Sequence, residues 1–279
     1  MLNALKVQFH LFRRWFFFYR RAVTLYDIHS PFVAGLVKAL LEDRRWFYVF
    51  SDISGLRDYI AQNKQVIPQS NFGAGSQILL TPGVSVAKLG QTVAVDDKSG
   101  RLLFRLVNFL KPKYLLEMGS SLGLSAIFQA AGSLDGQLIS IEGSPEISQL
   151  ARQHVDGLGY KNIHIVNGVF SEQLPEVLQQ LPQLDYVYLD GDHRLKPTLS
   201  YFESCLPHLH TQSAFVLADI YWSDEMLEAW EQLKLHPRVN LSVDFYDFGI
   251  LFFREEQRQK EHFAVVPKSW KPWRLGFWS

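Results

Sequence analysis

The stretch Lys113-Tyr-Leu-Leu-Glu-Met-Gly-Ser-Ser-Leu-Gly-Leu-Ser125 (KYLLEMGSSLGLS) joins a short apolar run, two glycines four residues apart and the start of a helical pattern. That succession is a strand, a tight turn and a helix, the opening of a ligand-binding α/β unit. Downstream the pattern repeats. Apolar runs at Tyr114–Met118, Leu138–Ile141, Ile163–Val166, Tyr186–Leu189 and Phe215–Ala218 have the length of buried parallel strands. Between them lie helical stretches at Ser125–Ala131, Pro145–Gly157, Ser171–Gln180 and Thr198–His208. After Asp219 comes one more helix, Asp224–Leu235, and then LSVDFYDFGILFFR reads as two strands joined at Asp247-Phe248-Gly249. The expected fold is α/β: a doubly wound, mostly parallel seven-stranded sheet with a C-terminal antiparallel hairpin.

Upstream, Phe32, Leu36, Val37, Leu40 and Leu41 have helical spacing, and a further helix is expected over Gly100–Leu110. Residues 71–99 read as loop, punctuated by FGAGS at Phe72–Ser76, TPG and DDKSG. FGAGS lacks a preceding strand, so it is read as a turn and not as a second glycine loop. The expected organisation is a mainly helical N-terminal cap over residues 1–100, a Rossmann-like domain over 101–256 and a basic aromatic tail over 257–279.

The chain has 279 residues with 28 Lys/Arg and 28 Asp/Glu, so overall charge gives no argument for nucleic acid as partner. The charge is unevenly placed, with eight basic against three acidic residues in 1–45 and six against three in 254–279. A single cysteine, Cys205, excludes an intrachain disulfide and a cysteine metal cluster, and a cytoplasmic setting is expected. The run Trp15-Phe-Phe-Phe-Tyr19 between Arg13-Arg14 and Arg20-Arg21 is too short for a membrane span. Two placements fit it. One is an aromatic face packed on the main domain or on a second subunit, taken as the expectation; the other is a peripheral membrane helix lying in the lipid interface.

In a doubly wound sheet the ligand lies outside the carboxyl ends of the strands. Those positions here are polar: Glu117 and Gly119-Ser-Ser-Leu-Gly123, then Glu142-Gly143, Asn167-Gly168, Asp190-Gly191-Asp192-His193, and Asp219. A pyrophosphate loop needs glycine where Ser121 stands, and an acid ahead of the first glycine repels phosphate but suits a cation.

This order of strand ends resembles the class I S-adenosylmethionine-dependent methyltransferases over residues 105–256, and the catechol O-methyltransferase-like branch in particular. It is closest to bacterial methyltransferases of unassigned substrate that share HSPFV, GAGS, LDGDHR and an IYWS-like segment. The resemblance implies S-adenosyl-L-methionine as cofactor. It implies cofactor contacts from Glu117, Gly119, Ser120, Ser121, Gly123 and Ser125, and a ribose-binding acid at Glu142 beside Gly143. It further implies an adenine cover at Gly168, Val169 and Phe170, with Asp190 at the methionine end.

His193 is the candidate base for an O-methylation, with Asp190 and Asp219 beside it; its alternative role is a loop histidine that caps a helix or donates to a carbonyl. Tyr221, Trp222, Tyr26 and His29 are candidate acceptor-pocket residues. The catechol-type metal set is an Asp on the fourth strand and an Asp-Asn pair after the fifth. Ile220 stands at the Asn position, so no metal is expected, with Asp192 the remaining substitute ligand. The acceptor expected is a small or lipid-like molecule, and no nucleic acid. Two other classes stay open, a nicotinamide oxidoreductase and a non-catalytic cofactor-binding or membrane-associated protein.

Overall fold

The computed structural model describes residues 2–68, 83–256 and 259–274, with side chains from residue 10 onward. FGAGS lies outside the described residues. The described helices are α1 (Leu2–Arg21), α2 (Pro31–Val37), α3 (Tyr48–Gln62), α4 (Val86–Thr92), α5 (Asp97–Leu110), α6 (Leu124–Gly132), α7 (Pro145–Gly157), α8 (Phe170–Gln180), α9 (Leu195–Cys205) and α10 (Asp224–Leu235). Several starts follow from side-chain caps that satisfy the first free amides. Asp96 accepts from Lys98 and Ser99 ahead of α5, and Ser144, followed by Pro145, accepts from Ile147 ahead of α7.

A small antiparallel ribbon pairs β1 (Val66–Pro68) with β2 (Gly83–Ser85). Among the described residues the main sheet holds eight strands: β3 (Tyr114–Met118), β4 (Gln137–Glu142), β5 (Ile163–Asn167), β6 (Leu184–Leu189), β7 (Leu209–Ala218), β8 (Leu241–Asp244), β9 (Phe248–Phe252) and β10 (Glu261–Ala264). Their spatial order is β10-β8-β9-β7-β6-β3-β4-β5. Strand β9 runs against both neighbours, and every other pairing in the sheet is parallel. Sheet order leaves β3 in both directions, toward β4 and β5 first and then back across to β6 and β7. The switch point, where crossovers diverge and a crevice opens, therefore lies between β3 and β6.

Successive residues of a strand face opposite sides of the sheet, and both sides are covered. Leu116, Met118, Val187, Leu189, Phe215 and Leu217 pack with Phe18 of α1, Leu174 of α8, Phe202 of α9 and Trp230 of α10. Leu115, Tyr186, Tyr188, Ala214 and Val216 face the other way, against Leu36 of α2, Leu103 and Leu106 of α5 and Ala126 of α6. A third cluster joins Phe50 and Ile53 of α3 to Val86 and Leu89 of α4, Phe128 of α6 and Ala151 of α7.

Three expectations are corrected. The sheet has eight strands where seven were expected, because Glu261–Ala264, read as tail, pairs parallel with β8. That strand is short and only partly buried, so it carries no apolar run to announce it. Within the stretch read as loop, residues 83–99 hold β2, α4 and the start of α5; Val86 and Leu89 are buried, although VAKLGQT alone is too short to show a period. The strand connection is Phe245-Tyr246-Asp247, and Phe248-Gly249 belong to β9, where a Cβ on Gly249 would press into the Trp230 ring.

The N-terminal aromatic run divides. Phe18 and Ala22 are buried in the core, Trp15 and Tyr19 are half-buried, and Phe16 and Phe17 are exposed. The chain after α1 is tied to the sheet edge by Val23, whose amide donates to Ala264 while Val266 donates back to Val23. Phe18→Ala is therefore expected to cost about 3–5 kcal/mol through loss of a fully buried ring. Urea unfolding measures it; a loss below about 1 kcal/mol would show that α1 is not part of the cooperative core.

Candidate active site

The first loop leaves β3 with its backbone pressed against β6. The Asp190 amide donates to the Met118 carbonyl (2.9 Å), and the Gly119 amide donates to Ile141 (2.9 Å). Gly119 has φ 109°, and a Cβ there would collide with the Asp190 carbonyl oxygen. Only glycine meets both demands. Ser121 follows at φ 46°, a left-handed conformation uncommon for a side-chain-bearing residue, and its amide donates to Glu142 Oε2 (2.9 Å). Glu142 Oε1 accepts from the Ser144 amide (3.0 Å), so each oxygen of this largely buried carboxyl holds one backbone donor and keeps acceptor capacity. The Asn167 side chain donates to the Glu142 and Gly143 carbonyls, tying the next strand end to the same place.

At the switch point Asp190, His193 and Asp219 converge. His193 Nε2 lies 3.8 Å from Asp190 Oδ1 and 3.7 Å from Asp219 Oδ2. Nδ1 of His193 is buried without a hydrogen-bond partner among the described residues. The ring therefore neither caps α9 nor donates to a carbonyl, and its accessible nitrogen faces two carboxyls. Burial raises both acids: Asp190 upward, against the pull of His193 and the hydrogen bond from Tyr188 OH (2.9 Å), and Asp219 to about 6, with Asp190 adding repulsion. Asp219 has φ 55° and is anchored by its amide to the Asp247 carbonyl (2.9 Å).

Several predicted residues take other places. Glu117 has no exposed surface; Gln129 Nε2 (2.6 Å) and Ser140 Oγ donate to its two oxygens, so it braces β3 against α6 and β4 beneath the loop. Ser120 and Ser125 are buried with it, Ser120 Oγ meeting Ser140 Oγ. Tyr221 is turned inward, where its hydroxyl donates to Asp244 and accepts from Arg21, leaving Trp222 as the exposed ring of that pair. Asp192 does not join the acid pair, because Arg194 and Tyr201 engage its carboxylate. Ile220 is fully buried and brings no ligand. Asp190, His193 and Asp219 place one ligand atom each within 4.8 Å of one another, two oxygens and a nitrogen. No hydrogen bond, ion pair or ring contact joins Tyr26 or His29 to the strand ends among the described residues.

Phe170 does sit at the site, since a Cβ on Gly191 would lie 2.8 Å from its ring. Missed in the sequence were Tyr188, Arg14 and Arg21. Tyr188, on β6, stands two residues before Asp190, which directly follows the strand, a spacing that signals a shared face. Arg14 donates to the Tyr221 and Trp222 carbonyls and to Asp224, over 200 residues away, and no local signal announces it.

The strand-end groups are carboxyls, backbone amides and one histidine. A cofactor with ribose hydroxyls and a cationic centre fits that donor set, and a pyrophosphate does not. Residues 116–220 match the family described as "Methyltransferase domain". A catechol O-methyltransferase of Niastella koreensis is 27% identical over 152 residues, covering 53% of this chain and 67% of the relative. One from Bos taurus is 28% identical over 130 residues, covering 45% and 47%. The chain thus spans between about half and two thirds of the length of these relatives.

An O-methyltransferase of Bacillus cereus solved in complex with SAH superposes with TM-score 0.52 at 16% identity, covering 79% of this chain and 96% of that one. TomG of Streptomyces achromogenes, solved with SAM, gives 0.51 at 20% identity, covering 58% and 82%. Similarity at that level speaks for the fold. With the family match over residues 116–220 and the curated relatives, that part of the chain is similar to the S-adenosylmethionine-dependent O-methyltransferases of the catechol O-methyltransferase-like type.

Glu117 yields a pH prediction. Burial pushes its carboxyl up to about 7 from an ordinary 4.5, so the folded state holds the proton more tightly than the unfolded chain does. The resulting stability is present below about pH 4.5 and lost as pH rises through about 7. Glu117→Gln removes that titration. Between pH 5 and 8 its stability should rise relative to the unsubstituted protein by up to about 3 kcal/mol. Melting curves across that range check it; a difference independent of pH would refute the assignment.

Proposed function

We propose that this protein transfers a methyl group from S-adenosyl-L-methionine to a hydroxyl of a small or lipid-like acceptor, without a metal ion. The observation that carries the reading is His193 Nε2 held between Asp190 and Asp219 at the switch point, next to the Glu142 acceptor site. Glu142 takes the ribose hydroxyls on the acceptor capacity its oxygens retain, and Phe170 and Val169 cover the adenine. Bound there, the cofactor supplies an electrophilic methyl carbon on a positively charged sulfur.

The chain's own work is alignment and proton removal. Fixing nucleophile and methyl carbon in line is worth on the order of 7–11 kcal/mol. His193 Nε2 takes the acceptor's proton, and the two carboxyls set negative charge beside the position that proton occupies. Trp222, the exposed ring after Asp219, offers an apolar wall to the acceptor. The catechol-like relatives support oxygen as the atom methylated.

Glu142→Ala should weaken binding of S-adenosylhomocysteine by about 2–4 kcal/mol, through loss of a charge-assisted acceptor pair. Calorimetry decides it, and tight NAD binding without any heat from S-adenosylhomocysteine would favour the oxidoreductase reading instead. Turnover should also be unchanged in excess EDTA, because Ile220 removes one ligand of the catechol-type set and Asp192 is engaged elsewhere. Activity lost in EDTA and restored by magnesium would show that the Asp190, His193 and Asp219 group holds a cation.

A further inference from the structure

Helix α1 has two faces of different chemistry. Inward, Phe18 and Ala22 join the core, and both inward arginines have carboxylate partners: Arg14 meets Asp224, and Arg21 meets Asp244. Outward, Phe12, Phe16 and Phe17 are 60%, 44% and 56% exposed, which is far from the usual fate of phenylalanine. Arg13 and Arg20 are exposed on the same outward side and have no ion pair among the described residues.

The rings form a continuous strip. Phe16 stacks with Phe12 (6.5 Å), Phe12 with Trp15 (6.1 Å) and Trp15 with Tyr19 (5.2 Å), and the Tyr19 hydroxyl donates to the Trp270 carbonyl (2.7 Å). Trp270, whose carbonyl Tyr19 holds, is exposed as well, and so is Trp273 three residues further on. The sequence of α1, LNALKVQFHLFRRWFFFYRR, contains no Asp or Glu.

We propose that this outward face of α1, continued by Trp270 and Trp273, docks the protein on an anionic lipid surface. Phenylalanine and tryptophan rings enter the boundary between headgroups and acyl chains, while Arg13 and Arg20 meet lipid phosphates. Charge selects this occupant over a second copy of the chain. A two-fold contact would set the patch against itself, bringing Arg13 and Arg20 onto their own copies with no acid on the helix to neutralise them. The mode is peripheral, since no helix among the described residues is long and apolar enough to cross a membrane. Docking would have a consequence for the site. Arg14 holds the Tyr221 and Trp222 carbonyls, so the docked helix carries the loop after Asp219 to the lipid surface.

The test is co-sedimentation of the full chain with vesicles of phosphatidylcholine alone, or with a third phosphatidylglycerol, at low and high salt. Binding is expected only with the anionic lipid and should weaken at 0.5 M salt, where screening shortens electrostatic reach. Near an anionic surface each arginine strengthens binding about fivefold, so Arg13→Gln with Arg20→Gln should lower partitioning roughly 20- to 30-fold. Phe16→Ser with Phe17→Ser should lower it at least about tenfold. Melting curves of both double variants should match the unsubstituted protein, since these side chains leave the core untouched. Absence of vesicle binding, or binding equal on neutral lipid, overturns the proposal. So does a dimer in analytical ultracentrifugation that the Phe16/Phe17 variant dissolves, or RNA binding lost in the Arg13/Arg20 variant, if either occurs without vesicle binding. Each readout is independent of methyl transfer, so its failure leaves the activity reading standing.

Discussion

The closest backbone approach at the site is the one on which the rest depends: the turn at Gly119 laid against the Asp190 carbonyl at the switch point. Because Gly119 carries no Cβ, the ends of β3 and β6 can come together, and the chain is aimed so that the Ser121 amide reaches Glu142. The left-handed backbone of Ser121, Asp192 and Asp219 belongs to the same economy. Strained conformations of this kind survive only where surrounding structure over-determines them, and here parallel pairing on either side of β3 does so.

A second consequence is the accumulation of acid in a confined crevice. Glu142, Asp190 and Asp219 are all raised by burial, with His193 the adjacent basic group that lowers the last two. Such a crevice resists phosphate and welcomes a cation, which separates it physically from a dinucleotide site on a similar sheet. The acids differ in their supports. Glu142 is held by backbone amides, Asp190 by a tyrosine hydroxyl, and Asp219 by its own amide on the Asp247 carbonyl. Proton affinity and direction are thereby set one residue at a time.

The N-terminal helix shows how one aromatic-rich segment serves two environments. A ring whose direction lies toward β10 and α10 enters the core, and a ring a quarter turn away meets solvent. Arginine follows the same division, paired where it points inward and unpaired where it points out. Through Arg14 and Arg21 the inward side also reaches the Tyr221 turn, so the segment most distant in sequence from the site is mechanically part of it.

What the sequence determined by itself was whatever repeats locally. The five parallel strands and their helices are legible because each apolar run is long enough to show its character, and α7 and α10 carry their own caps and periods. The polar residue after each run marks the site for the same reason: strand ends are local, and the fold brings strand ends together. Tertiary structure alone decided the direction and company of side chains. Glu117 and Tyr221 read as ligand-facing from their positions, yet each turns inward because distant partners, Gln129 with Ser140 and Arg21 with Asp244, satisfy its polar atoms there. Strand β10 and helix α4 are too short to carry a period, and they exist because β8 and α3 offer them an edge and an apolar face. Long-range pairing has no signature along the chain, because its energy comes from residues that only folding makes neighbours.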